Sequence, residues 1–302
     1  MSRINEEEVR KALGKKAAYG DDIDMEKYDE GEKDVEQIES LEDTPDDLQK
    51  KMINVGVDTD DSEKDGTILF INNAMSHCSN KAQDGLIIMS TQKAMETYSW
   101  VKDYYWNAMD PAKDKYTAKT YEEKSDGYFI YVKPGHHLKF PVQTCMMLGQ
   151  DKSVQNLHNI IVVDDDASCD MITGCTTVHS ANDALHVGVS EMYIGENSSL
   201  SFTMIHSWNN ETAVRPRTNV VMKKNARYVN NYVVLDHPVV PERLPQRGGC
   251  ILQFQHHVHR PRELEHRHRR VCDPQRPQHR RGDPQQEHIL RGQDDRQGTP
   301  HR

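Results

Sequence analysis

The sequence predicts a mainly β fold whose core, residues 126–236, is a right-handed parallel β-helix. Three observations predict it. A seven-residue cassette with apolar ends recurs four times: Val132-Lys-Pro-Gly-His-His-Leu138, Val163-Asp-Asp-Asp-Ala-Ser-Cys169, Ile194-Gly-Glu-Asn-Ser-Ser-Leu200 and Met222-Lys-Lys-Asn-Ala-Arg-Tyr228. The starts are 31, 31 and 28 residues apart, a period at which a stacked coil returns to the same height on every turn. The cassettes follow β-branched or aromatic runs (Tyr128–Val132, Ile160–Val163, Val220–Met222) and open further strands, with polar or small residues at the corner. The spacing therefore puts Val132, Val163, Ile194 and Met222 in one ladder, about 5 Å per step.

The elements ahead of the core follow from local signals. Residues 1–43 form an acidic segment in which Val9 and Leu13 mark a short helix among charged residues, and the remainder is too polar to hold a core. Residues 44–125 read as a small α/β domain. Its first helix has Thr44 as N-cap, Pro45 at the first position, Leu48, Met52 and Val55 as buried stripe, and Gly56 as terminator. The run Asp58–Asp65 lacks calcium-loop spacing and reads as solvated. Thr67–Ile71 and Leu86–Met89 are short strands. Ser90 then caps a longer helix with the line Ala94, Tyr98, Val101, Tyr105 and Met109, stopped by Asp110-Pro111.

The last segment, 237–302, speaks a different dialect. All 20 lysines and 12 tyrosines precede it, whereas it holds 13 of the 18 arginines, with 9 His, 8 Pro and 9 Gln. The change resembles a shifted reading frame, so the segment is expected to lack a stable fold and to leave the last coil edge unprotected. Its charge is +5 and that of the rest is −15, which argues against nucleic acid as a ligand of the body. Six scattered cysteines do not make a disulfide framework. The N-terminus is Glu-rich without an apolar leader, and no apolar run is long enough to cross a bilayer. A cytoplasmic protein with reduced thiols and no membrane association is expected.

Candidate chemistry is sparse. Cys169 and Cys175 are too far apart in sequence for a tight chelate, and although their even separation puts both on one face of a strand, Gly174 is expected to break that strand first. His179, His186 and His206 lie on the coils where stacking could bring them together. Glu191 and Glu196 are the carboxylates that a carbohydrate-active β-helix enzyme would draft as acid and base. No nucleophile elbow, phosphate loop or His-Glu-x-x-His motif is present. A non-enzymatic role is expected, with a β-helix carbohydrate-active enzyme or a binding module that kept only the fold as alternatives.

Several stretches resemble one known family in order. Asp126-Gly-Tyr-Phe-Ile-Tyr-Val-Lys-Pro-Gly135 resembles the entry to the core of the SufB/SufD iron–sulfur cluster assembly scaffolds. Asn159-Ile-Ile-Val-Val-Asp-Asp-Asp-Ala167, Gly174-Cys-Thr176, Leu185-His-Val-Gly-Val-Ser-Glu191 and Ile205-His-Ser-Trp-Asn-Asn210 follow in the family's sequence. The likeness spans about 44–236 and is most specific over 159–210. It implies a β-helix scaffold that carries an iron–sulfur cluster transiently, an ABC-type ATPase partner, and a paralogous or identical scaffold subunit. Family members continue the β-helix past the point where this chain changes composition, and their cluster ligands and ATPase-docking helices lie there. SufB-type members also carry a sulfur-accepting cysteine in the region matching 222–230, where this chain has none. The resemblance therefore implies a truncated scaffold with impaired assembly. Cys145, Cys169, Cys175 and His186 are left as candidate cluster or sulfur sites.

Overall fold

The computed structural model describes residues 4–17, 22–30, 35–60, 62–178, 181–209, 211–235, 251–257 and 262–265. Ahead of the solenoid come α1 (Glu6–Leu13), β1 (Asp29–Glu30), α2 (Asp46–Asn54), β2 (Gly66–Ile71), β3 (Ala74–Asn80), β4 (Leu86–Ser90), α3 (Thr91–Thr97) and α4 (Lys115–Glu122). The coils alternate between two sheets: β5 (Tyr128–Val132) to β6 (Val142–Leu148), β7 (Ser153–Val163) to β8 (Ser168–Thr177), and β9 (Ala184–Ile194) to β10 (Ser199–Ser207). The last coil runs through β11 (Thr212–Val214) and β12 (Arg217–Met222) to β13 (Arg227–Val234). Successive coils pair in parallel, giving a β-solenoid of about three turns.

The cassettes are its corners. Val132 pairs with Val163, Val163 with Ile194, and Ile194 with Met222, in the expected ladder. Across the corner, Cys169, Leu200 and Tyr228 make a second ladder. The fourth residue of every cassette is left-handed: Gly135, Asp166, Asn197 and Asn225 have φ of 71°, 56°, 56° and 57°. Glycine, asparagine and aspartate enter that region most readily, which is why these types occupy the position. Asn225 Nδ2 donates to Asn197 Oδ1 at 2.9 Å, and Asn197 Nδ2 to Asp166 Oδ1 at 3.0 Å, so the corner side chains form a ladder of their own.

Three layers of apolar contact hold the coils. Inside lie Tyr128, Leu157, Ile161, Met171, Met192, Phe202 and Tyr228. The outer face of the first sheet, with β5, β7, β9 and β12 at its centre, is covered as well, so β7 and β9 are buried on both faces. Ala94, Val101 and Trp100 pack on Phe129, Ile160 and Val162, while Trp106, Met109 and Tyr116 pack on Leu185, Val187 and Val189. The outer face of the second sheet is covered by Leu41, Met52 and Val55, which meet Leu69, Cys145 and Met147. Gly174 permits this closeness: a Cβ there would lie 2.4 Å from Val55 Cγ2. The glycine therefore does not break β8. It lets α2 sit on it.

The two sheets begin ahead of residue 126. β2 pairs in parallel with β6, β3 antiparallel with β2, and β4 antiparallel with β5, so a hairpin and one strand close the first coil. Other expectations need correction. Pro45, not Thr44, is the N-cap of α2, because the Thr44 hydroxyl donates instead to Leu41 O at 2.6 Å. Gly56, at φ 77°, ends the segment as expected. The helix opened by Ser90 stops at Thr97, since Tyr98 is extended (φ −124°, ψ 109°) and a 3₁₀ turn, Ser99–Asp103, follows. That break spreads Trp100 and Tyr104 over the sheet in place of a single stripe. Within the acidic run, Asp65 is buried and accepts the amide of Phe140 at 2.8 Å. In α1, Val9 is buried but Leu13 is exposed, and Ala12 takes the inner position.

Two tail segments are described, β14 (Ile251–His257) and β15 (Arg262–Glu265), which pair antiparallel with β13 and β12. At these positions the final coil's edge is covered, contrary to the expectation of an open one, because an unpaired strand edge is satisfied by any extended backbone. The rest of 237–302 lies outside the described residues. Among the described residues no helix is long and apolar enough to cross a membrane.

The corner geometry yields a test. Asn197→Val should lower stability by about 1–2 kcal/mol more than Asn197→Gly. Both lose the amide ladder, but only valine carries the left-handed penalty. Urea denaturation of both variants measures the difference.

Candidate functional site

The four candidate residues fall at separate points of the solenoid. Cys145 on β6 faces outward beneath α2, in the cluster with Leu69, Met52 and Val55. Cys169 and Cys175 both face the interior, as their even separation predicts. They stand at opposite ends of β8, about 20 Å apart at the usual rise per residue. All three are buried, whereas Cys78 on β3 is exposed. Burial pushes the Cys145 thiol up to about 12 and raises Cys169 and Cys175 well above the usual thiol range. For Cys169 the nearby charges that add to this are Asp170 and Asp65, not the corner acids 164–166. Thiolate is the ligand and nucleophile, so these thiols are held in the unreactive form. Among the described residues no group of three His, Cys, Asp or Glu side chains is placed to hold a metal ion.

The histidines do come together. His186 on β9 and His206 on β10 both approach the ring of Trp208, with centroids at 5.0 and 5.9 Å. His179 lies outside the described residues. His186 Nδ1 donates to Gln155 Oε1 at 2.8 Å on the preceding coil, which fixes the tautomer with the proton on Nδ1. Gln155 Nε2 donates in turn to Asn72 O at 2.5 Å. His206 Nδ1 is 2.6 Å from the Tyr232 hydroxyl, and the same position of the preceding coil is Cys175. Burial lowers His186 to about 4, so its imidazole is neutral at physiological pH. Trp208 stood in the sequence only as part of the Ile205–Asn210 motif, and Gln155 was not singled out; the coil register makes Gln155 a neighbour of His186.

Glu191 has a different place from the one a glycosidase needs. It is fully buried on the outer face of the first sheet. Its Oε1 accepts from the amide of Trp106 at 2.7 Å and from His158 Nε2 at 2.8 Å. Its Oε2 accepts from the amides of Ala108 at 2.6 Å and Met109 at 2.9 Å, and from the Tyr193 hydroxyl at 3.1 Å. Glu196 sits at the corner beside Lys224, at 4.0 Å. The two carboxylates therefore do not frame a common space, and the acid–base pair is not assembled. A lone carboxylate in a fully buried strand with no other acid was the signal that Glu191 is an internal anchor.

Residues 146–242 match the family model described as "SUF system FeS cluster assembly, SufBD core domain". This chain carries a SufBD core domain. A protein named iron–sulfur cluster assembly SufBD family protein from Methanothermobacter thermautotrophicus (strain Delta H) is 38% identical over 239 residues, which is 78% of this chain and 58% of the relative. One of the same name from Archaeoglobus fulgidus is 34% identical over 188 residues, or 62% and 50% of the two chains. A Staphylococcus saprophyticus member is 27% identical over 147 residues, 48% and 30%. The chain spans about half the length of these archaeal SufBD relatives. The matched stretch begins in β6 and holds Cys169, Cys175, His186, Glu191 and His206, while Cys145 falls one residue outside it.

The SufBD core should carry a pH signature of His186. Its folded imidazole titrates near 4 and an unfolded one near 6.5. Below pH 6.5 the unfolded chain takes up the proton first, so stability falls as pH drops from 6.5 to about 4, by about 3 kcal/mol in all. Urea titrations at pH 7, 6, 5 and 4 should show this slope, and His186→Gln should flatten it.

Proposed function

We propose that this chain is a scaffold subunit in iron–sulfur cluster assembly, non-enzymatic in itself, that works with an ABC-type ATPase and with a second scaffold subunit, identical or paralogous. The observation that carries the reading is the SufBD core match over 146–242, laid on a parallel solenoid whose corners repeat in register. The cluster is cargo, held transiently. Protonated, separately placed thiols at Cys145, Cys169 and Cys175 favour a division of labour in which the solenoid supplies a rigid frame and ligands come from elsewhere in the assembly. On that reading this chain alone is impaired as an assembly site, and a cytoplasmic setting suits its reduced thiols.

Anaerobic reconstitution with ferrous iron and sulfide tests it. The chain by itself should bind a cluster weakly, and Cys145→Ala/Cys169→Ala/Cys175→Ala should leave that binding unchanged, read by visible absorbance and iron content. Adding the ATPase and second scaffold subunit should raise cluster yield. A stoichiometric cluster on the single chain that disappears in the triple variant would overturn the division of labour. Absence of any interaction with the ATPase, in pull-down or calorimetry, would overturn the partnership.

A further inference from the structure

The segment Tyr104–Asp110 crosses the outer face of the first sheet as turns, without helix or strand. Its backbone is attached instead to three side chains of that face. The amides of Trp106, Ala108 and Met109 all end on Glu191, the Tyr193 hydroxyl lies 2.8 Å from Tyr104 O and accepts from the Ala108 amide at 2.9 Å, and Asn219 Nδ2 donates to Ala108 O at 2.6 Å. Under the segment the His158 ring stacks on Trp106, centroids 4.3 Å apart, and neither is accessible to solvent to any useful degree.

Three features set this segment apart from ordinary packing. Trp106 is left-handed at φ 51°, a conformation that costs a bulky residue about 1–2 kcal/mol and persists only where surrounding contacts force it. Two buried polar atoms lie beneath or beside it without a hydrogen-bond partner among the described residues: His158 Nδ1 and Asn219 Oδ1. Buried polar atoms are nearly always paired, so these two mark a face that is incompletely satisfied when covered. Finally, three amides share one carboxylate, so those attachments break together. Strain and unpaired polar groups both favour release, and Glu191 opposes it.

We propose that Tyr104–Asp110 is a latch, which opens as a unit while the solenoid stays folded and uncovers His158 and Glu191 as an ionisable face of the first sheet. Closed, the latch buries an imidazole and a carboxylate; open, it gives both to solvent or to a bound partner. Opening needs the loss of the Glu191, Tyr193 and Asn219 attachments and of the apolar contacts of Trp106 and Met109, but of no strand pairing, because β7, β9 and β12 are paired to one another independently of the segment.

Native-state hydrogen exchange of the intact chain in low urea tests this. The amides of Trp106, Ala108 and Met109 should exchange at least about 100-fold faster than those of Ile161 and Met192 in β7 and β9, with little urea dependence, the mark of a small local opening. Glu191→Gln should speed exchange in the latch by a further tenfold or about that, leaving β7 and β9 unchanged. Asn219→Ala, which removes one attachment at the rim, is the milder variant if Glu191→Gln does not fold, and should speed it several-fold. Exchange of the three amides at the same rate and with the same urea dependence as the strands would overturn the latch. So would unchanged latch exchange in a folded Glu191→Gln.

Discussion

Everything in this molecule depends on a backbone constraint at one position of each turn. A coil can stack on its predecessor only if it corners at the same height and in the same plane, and here the fourth residue of each cassette does so by turning left-handed. Glycine, aspartate and asparagine are the residue types that accept this at low cost. Once the corners coincide, the register of both sheets is settled, and the inward and outward sets of side chains follow by alternation. The asparagine and aspartate side chains then add a hydrogen-bonded ladder on top of the backbone one. A stack of corners thus sets the geometry of residues far from any corner, including the candidate thiols and histidines.

Burial on both faces explains the chemistry of the core. A solenoid strand normally has one face in the interior and one toward solvent, but here α2 and the segment from α3 to α4 cover the outer faces. Polar groups caught between layers must find internal partners or go without. Glu191 is the first case, with five donors around one carboxylate, and His186 the second, held neutral against Gln155. The thiols are a third: with little to bond to, they stay protonated. The same low polarity that stabilises the SufBD core therefore keeps its internal thiols in the protonated form.

Legibility differed sharply between elements. The ladder Val132, Val163, Ile194, Met222 was readable because a fixed turn length writes itself into the sequence as a period. The strands β2 and β4 and the Ser90 cap were readable from local composition. The long helix after Ser90 was not: its apolar residues do recur at helical spacing, but the aromatic contacts of Trp100 with Phe129 and Tyr131 across the sheet prevailed over that pattern. Gly174 misled for a related reason. Within one strand a glycine reads as a break, yet its meaning here lies in α2, which is more than a hundred residues away in sequence.

What the sequence determined by itself is the repeat: corner residues, strand runs, the parity that puts Cys169 and Cys175 on one face, and a family likeness in ordered motifs. These are local or periodic, and a chain carries them without knowing its partners in space. What only the tertiary structure decided is which polar groups meet. His186 with Trp208 and Gln155, Glu191 with the amides of Trp106, Ala108 and Met109, and the separation of Cys145 from Cys175 across a sheet depend on which face is covered and by what. Covering is a matter of long-range packing, and no window of sequence contains both the covered strand and the segment that covers it.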